Sequence, residues 1–118
     1  MGGTTSKYSH IANDFELAIR SSKDLEHILE TEFGAQGKGL HEKISSIETS
    51  LPPDLVRNMR YLATIRNKLV HEHDFNKIPE RQKFVAKFEQ STIQLKKAIE
   101  DRRRARGVNE SSGGCIIC

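Results

Sequence analysis

The sequence predicts an all-α protein, an up-and-down bundle of four main helices around one core. Apolar residues recur at three- and four-residue spacing in four separate stretches. Val, Ile and Thr do not alternate with polar residues, so no strand is expected. Glycine or proline stands at the junctions between stretches, where helices stop.

The first stripe runs through Tyr8, Ile11, Phe15, Ile19, Leu25, Ile28, Leu29 and Phe33, which predicts one long helix over residues 7–33. Gly34 stops it, and Gly37 and Gly39 loosen the connector that follows. Leu40, Ile44, Ile47 and Leu51 mark a short second helix ending against Pro52-Pro53, because a residue before proline is pushed out of the helical region. Pro53 suits the first turn of a third helix, and the carboxylate of Asp54 suits its positive end. That helix carries Leu55, Met59, Leu62, Ile65 and Leu69, supported by Val56 and Val70. A connector spans His73 to Pro79. The fourth helix starts near Glu80 and presents Phe84, Phe88, Thr92, Leu95 and Ile99.

This gives a leader over 1–7, a helical body over 8–100, and a basic, Gly/Ser-rich flexible tail over 101–118. The expected core holds Phe15, Ile19, Leu62, Phe84, Phe88 and Leu95. An even number of antiparallel helices would bring both chain ends to the same side of the bundle.

Bulk properties narrow the class. At 118 residues one domain is expected, and 36% hydrophobic residues suffice for a modest core. The net charge of +3 and a pI near 9.0 suit a phosphate-rich partner or an anionic membrane surface. With no Trp and 6% aromatic residues, no stacking surface for single-stranded nucleic acid stands out. Both cysteines fall in the last four residues, so no disulfide framework is expected within the domain. No secretory leader or membrane-length apolar run is visible, which points to the reducing cytoplasm.

The chemistry concentrates in Arg66-Asn67-Lys68-Leu69-Val70-His71. Asn67 and His71 are four apart and share a helix face, while Arg66 lies about 140° around from His71 at about 100° per residue. The long Arg66 side chain, or a loosening of the helix near His71, would bring the two together. The trio supplies a cation for a phosphate oxygen, an amide for positioning, and an imidazole that moves a proton near neutral pH. Lys68 and His73 are further candidate binding groups. An exposed polar helix face would use the same residue types.

The run Leu62-Ala63-Thr64-Ile65-Arg66-Asn67-Lys68-Leu69-Val70-His71-Glu72-His73 resembles the signature of the HEPN superfamily of helical domains. Its pattern is Arg, four to six residues, then His, often with a polar residue directly after the Arg. The long first helix, the Gly-containing connector and Leu51-Pro52-Pro53-Asp54-Leu55 before the motif helix agree with it. The resemblance covers residues 8–100. It implies metal-independent RNA cleavage at a composite site, with Arg66 and His71 contributed by two subunits of a homodimer. His71 would move a proton to or from the 2′-hydroxyl or the leaving oxygen, Arg66 would stabilise charge on the phosphate, and Asn67 would orient one of them. RNase toxins of this group imply a cognate antitoxin or regulatory protein as partner. The alternative is a non-catalytic helical interaction module, since the fold alone does not settle activity.

Cys115-Ile116-Ile117-Cys118 has the form of a prenylation box, although terminal Cys is not typical of it. A Ser111-Ser112-Gly113-Gly114 spacer and the basic run Arg102 to Arg106 precede it, and a polybasic patch is the usual second membrane signal. Met1-Gly2-Gly3-Thr4-Thr5-Ser6 matches the form for myristoylation at Gly2. Read so, the chain sits on the cytoplasmic face of a membrane; without the transferases, both ends are plain tails. A redox or zinc role for Cys115 and Cys118 is disfavoured, because two ligands cannot close a zinc site. His10, His27 and His41 have no partners at metal-ligand spacing and are expected on the surface. Lys38 between Gly37 and Gly39 lacks the full phosphate-loop pattern. No metal or cofactor is expected.

Overall fold

The computed structural model describes residues 13–110, with side chains over 13–105. It contains four helices and no strand among the described residues: α1 Asp14–Phe33, α2 Leu40–Ile47, α3 Pro53–His71 and α4 Arg81–Glu110, with a single 3-10 turn Glu48–Ser50 after α2. The all-α bundle expected from the periodicity is what forms.

α1 begins later than its stripe suggested. Asn13 is extended, and its Oδ1 accepts a hydrogen bond from the Glu16 N–H at 3.0 Å, the usual device for satisfying an orphan amide at a helix start. Asp14 and Glu16 place carboxylates at the positive end. The helix therefore does not run unbroken from residue 7, and Tyr8 and Ile11 lie outside the described residues. At the other end Gly34 takes φ 68°, and its N–H donates to the Glu30 carbonyl, while Ala35 donates to Leu29.

The buried face of α1 is Leu17, Ala18, Ser21, Ser22, Leu25 and Leu29. Phe15 and Ile19, expected in the core, are 39% and 36% exposed. The cause lies in the first turn. The carboxylate of Asp14 accepts from the Ile78 N–H at 2.8 Å and pairs with Arg81, which fixes the rotation of the helix and turns Phe15 and Ile19 outward. Small Ala18, Ser21 and Ser22 then face the core and permit close approach. Ser21 stays satisfied by donating to the Ala18 carbonyl at 3.1 Å.

α2 buries Leu40, Ile44 and Ile47 together with the aliphatic stem of Lys43. Lys43 Nζ donates to the Gly37 carbonyl at 2.7 Å and pairs with Glu30 and Glu26 of α1 at 3.1 and 3.6 Å. Gly37, at φ 140°, is required here: a Cβ would lie 2.5 Å from the Glu42 Cβ. The stripe through Leu51 overran the helix, since its last turn tightens before Pro52 into the 3-10 turn and Leu51 is extended.

α3 starts at Pro53 and buries Leu55, Met59, Leu62, Ile65 and Leu69 as the stripe required, with Ala63 added. Phe84, Phe88 and Leu95 of α4 complete the expected core with Leu62. α4 does not end near Ile99 but continues to Glu110, through the first ten residues assigned to the flexible tail. Arg and Ala are good helix formers, Asp101 accepts from Lys97 and Arg104 at 3.4 and 3.5 Å, and Arg102 lies 4.8 Å from the Phe33 ring centroid.

Strict up-and-down alternation is not what the chain adopts. Asp14, at the start of α1, pairs with Arg81 at the start of α4, and Glu32 near the end of α1 pairs with Arg103 far along α4. The two helices therefore run parallel. Short α2 does not act as a full antiparallel member. Residue 13 and residue 110 consequently lie at opposite ends of the bundle; the two chain ends, expected on one side, lie outside the described residues.

Candidate functional site

The two helices that α2 touches explain how the motif is presented. On α3, Arg60, Thr64, Asn67 and His71 stand at four- and three-residue spacing and form one column. α2 covers its upper part: His41 Nδ1 lies 3.3 Å from Arg60 Nη1, His41 Nε2 lies 3.4 Å from Thr64 Oγ1, and Arg60 Nη2 donates to Ser45 Oγ at 2.9 Å and Glu48 Oε1 at 2.7 Å. Among the described residues, no hydrogen bond or ion pair joins α2 to Asn67 or His71.

α3 stays regular to its end, where the Glu72 N–H donates to the Lys68 carbonyl at 2.9 Å. The helix does not loosen before His71, so Arg66 and His71 remain about 140° apart around the axis. Arg66 falls on the core-facing side of α3, in line with Leu55, Met59 and Leu62, and is half-buried. His71 is exposed and has no bonding partner among the described residues, Arg66 included. Val70, between them around the helix, is 45% exposed.

The electrostatic position of Arg66 is unusual for this chain. Arg20, Arg57, Arg60, Arg81, Arg103 and Arg104 each pair with a carboxylate. Arg66 instead donates from Nη1 to the neutral Oδ1 of half-buried Asn67 at 3.0 Å, and has no acidic partner among the described residues. A partly desolvated guanidinium held by an amide retains its full charge and most of its donors for an incoming anion.

The other candidates are not drawn into this arrangement. Lys68 lies 5.6 Å from the Phe75 ring centroid, and exposed His73 sits in the turn after α3. Gly2 and Cys115 lie outside the described residues. No cluster of three or more His, Cys, Asp or Glu suited to a metal ion occurs among the described residues. No helix among them is long and apolar enough to cross a membrane.

The His41 cluster was missed in the sequence, where His41 reads as a surface residue. It is half-buried, and burial followed by the Arg60 charge pushes its pKa below the ordinary 6.5. Because Arg60 only donates, the neutral ring accepts at Nδ1 and so donates from Nε2–H to Thr64 Oγ1. The available signal was weak: His41 and Ser45 on one helix, Arg60 and Thr64 on another, each pair four residues apart. Nothing in the order of residues says that the two pairs meet. Neither family models nor curated proteins nor solved structures give a match to this chain.

Proposed function

We propose that this chain is a metal-independent endoribonuclease that acts as a homodimer, of the kind its resemblance to the HEPN signature implies. The observation that carries the reading is Arg66: a half-buried cation bonded to Asn67 with no acidic partner, where six of the other seven arginines with described side chains pair with carboxylates. A phosphate diester is the anion such a site would take, since a guanidinium presents its donors in a planar fork.

In the reaction, the 2′-oxygen bonds to phosphorus as the bond to the 5′-oxygen breaks. The 2′-hydroxyl loses a proton and the 5′-oxygen gains one. His71, exposed and unpartnered, takes one of these transfers, and Arg66 holds the phosphoryl oxygens as negative charge builds on them. Asn67 positions Arg66 through its Oδ1. The separation of Arg66 and His71 around one helix favours their supply by two copies, so that each phosphate meets Arg66 of one chain and His71 of the other.

The second reading, a non-catalytic helical interaction module, draws on a different observation: Lys96, Lys97, Arg102, Arg103 and Arg104 are all exposed along α4 and suit an anionic surface. Cleavage of a labelled RNA separates the two. Arg66→Ala and His71→Ala are each expected to abolish cleavage with helicity and dimerisation intact, and EDTA is expected to leave the rate unchanged. Undiminished cleavage by His71→Ala overturns the catalytic assignment and puts the interaction module ahead.

A further inference from the structure

Besides Arg66, one arginine with a described side chain has no carboxylate partner: Arg102, in the length of α4 that the sequence assigned to a flexible tail. Its guanidinium carbon lies 4.8 Å from the Phe33 ring centroid, a contact that uses none of its N–H donors. Arg102 lines a cleft of about 480 Å³ between α4 and the turn that joins α2 to α3, a size within the roughly 300–1,000 Å³ of small-molecule sites. Thr49 and Ser50 bring hydroxyls from the turn, Pro52 and Ala98 bring apolar surface, and Lys97 brings a second cation. Asp101 is the only carboxylate in the lining, and it already accepts from Lys97 at 3.4 Å and from Arg104 at 3.5 Å. Three cations thus stand about one anion, and Arg102 is the one that Asp101 does not engage.

We propose that this cleft binds a phosphomonoester, with the phosphate held by Arg102, Lys97 and the hydroxyls of Thr49 and Ser50 and the organic part against Pro52 and Ala98. A phosphomonoester carries between about 1.5 and 2 negative charges at neutral pH, which matches the excess of cations in the cluster. Its three terminal oxygens accept from several directions at once, and so suit a planar guanidinium, a flexible ammonium and two hydroxyls together. A phosphodiester offers one charge and two such oxygens, and fits less well. A soluble phosphomonoester and a phospholipid whose headgroup ends in one share this chemistry. The site is independent of the endoribonuclease reading, because Pro52 and Arg66 lie about 20 Å apart along α3 at 1.5 Å per residue. In the sequence the basic run reads as solvated charge, since nothing local shows that Arg102 comes to face the turn before Pro52.

Backbone-amide NMR of the full chain, titrated with glycerol 3-phosphate, reads the site directly. Thr49, Ser50 and residues 97–102 are expected to shift saturably, and to shift far less with dimethyl phosphate, a diester. Cosedimentation with phosphatidylcholine vesicles carrying phosphatidic acid, against phosphatidylglycerol at equal surface charge, reads the lipid source. Arg102→Gln is expected to raise the Kd roughly 10- to 150-fold, the range for losing a hydrogen bond to a charged group. Lys96→Gln removes the same charge from the other side of α4, where Lys96 lines a groove with Ile28 and Thr31 of α1, and is expected to bind as wild type does. Arg102-dependent binding of glycerol 3-phosphate supports the site with a soluble ligand. Arg102-dependent sedimentation with phosphatidic acid alone supports it with a lipid headgroup. Circular dichroism checks that each variant folds, and the monoester–diester comparison on the wild-type chain stands without any variant. Equal weakening by Arg102→Gln and Lys96→Gln, or equal response to monoester and diester, makes this a diffuse basic face and overturns the site. Neither shift nor sedimentation in the wild type overturns it as well.

Discussion

Folding withdraws the Arg66 guanidinium partway from water and returns one hydrogen bond to an amide. Desolvating a cation costs free energy that a carboxylate normally offsets, as Asp14 does for Arg81. Arg66 is therefore a residue the fold would be at least as stable without. Arg66→Met, which keeps the apolar stem on the core-facing side of α3, is expected to leave the melting temperature unchanged or raised, by about 0–1 kcal/mol in stability. Arg81→Ala, which strands Asp14 and loosens the start of α4, is expected to lower it. A clear loss of stability in Arg66→Met would make Arg66 a structural residue and remove the main support for the anion site. The sequence brought attention to Arg66 through its neighbours Asn67 and His71. It did not show that Arg66 lacks a carboxylate, because ion pairs such as Arg81 with Asp14 join residues far apart in the chain.

At the scale of elements, α3 was legible because its stripe contains only large apolar residues at regular spacing, and its start is fixed by Pro53. The core face of α1 is not legible in the same way, because it includes Ala18, Ser21 and Ser22, which carry little hydrophobic signal, while the conspicuous Phe15 and Ile19 face outward. The rotation was set by Asp14 reaching the connector after α3, a contact no local pattern announces. The seating of α2 was equally hidden, and it has a pH dependence. His41 is neutral when it accepts from Arg60; a second ring proton would face that guanidinium at 3.3 Å. Its pKa is lowered in the folded chain, so below the ordinary 6.5 the unfolded chain takes up the proton first and unfolding is favoured as pH falls. The contribution is complete above 6.5 and is lost as pH drops through the folded-state value. Thermal melts between pH 8 and pH 5 are expected to show this acid loss in the wild type and a smaller one in His41→Gln. Equal slopes for the two chains would mean that other groups account for the loss.

For the whole molecule, the angular separation of Arg66 and His71 becomes a statement about assembly. One copy presents Arg66 toward the core side of α3 and His71 toward solvent, with exposed Val70 between them. A two-fold axis near Val70 would set this arc against itself, placing Arg66 of each copy near His71 of the other and covering the exposed valine. Two guanidiniums brought together repel unless an anion lies between them, so the same contact would select a phosphate. The end of α3 is small against the roughly 1,200–2,000 Å² that a stable interface buries, so the contact is expected to extend over the connector from His73 to Pro79. Light scattering at micromolar concentration is then expected to give twice the chain mass of 13.4 kDa. Mixing Arg66→Ala with His71→Ala chains offers a second check. Each variant alone lacks one member of every pair, but a mixed dimer keeps one site with Arg66 from one chain and His71 from the other. Partial recovery of cleavage on mixing is the expected result. A strictly monomeric mass with and without RNA, together with no recovery on mixing, would leave Arg66 and His71 on separate faces of one helix with no means of acting on the same phosphate.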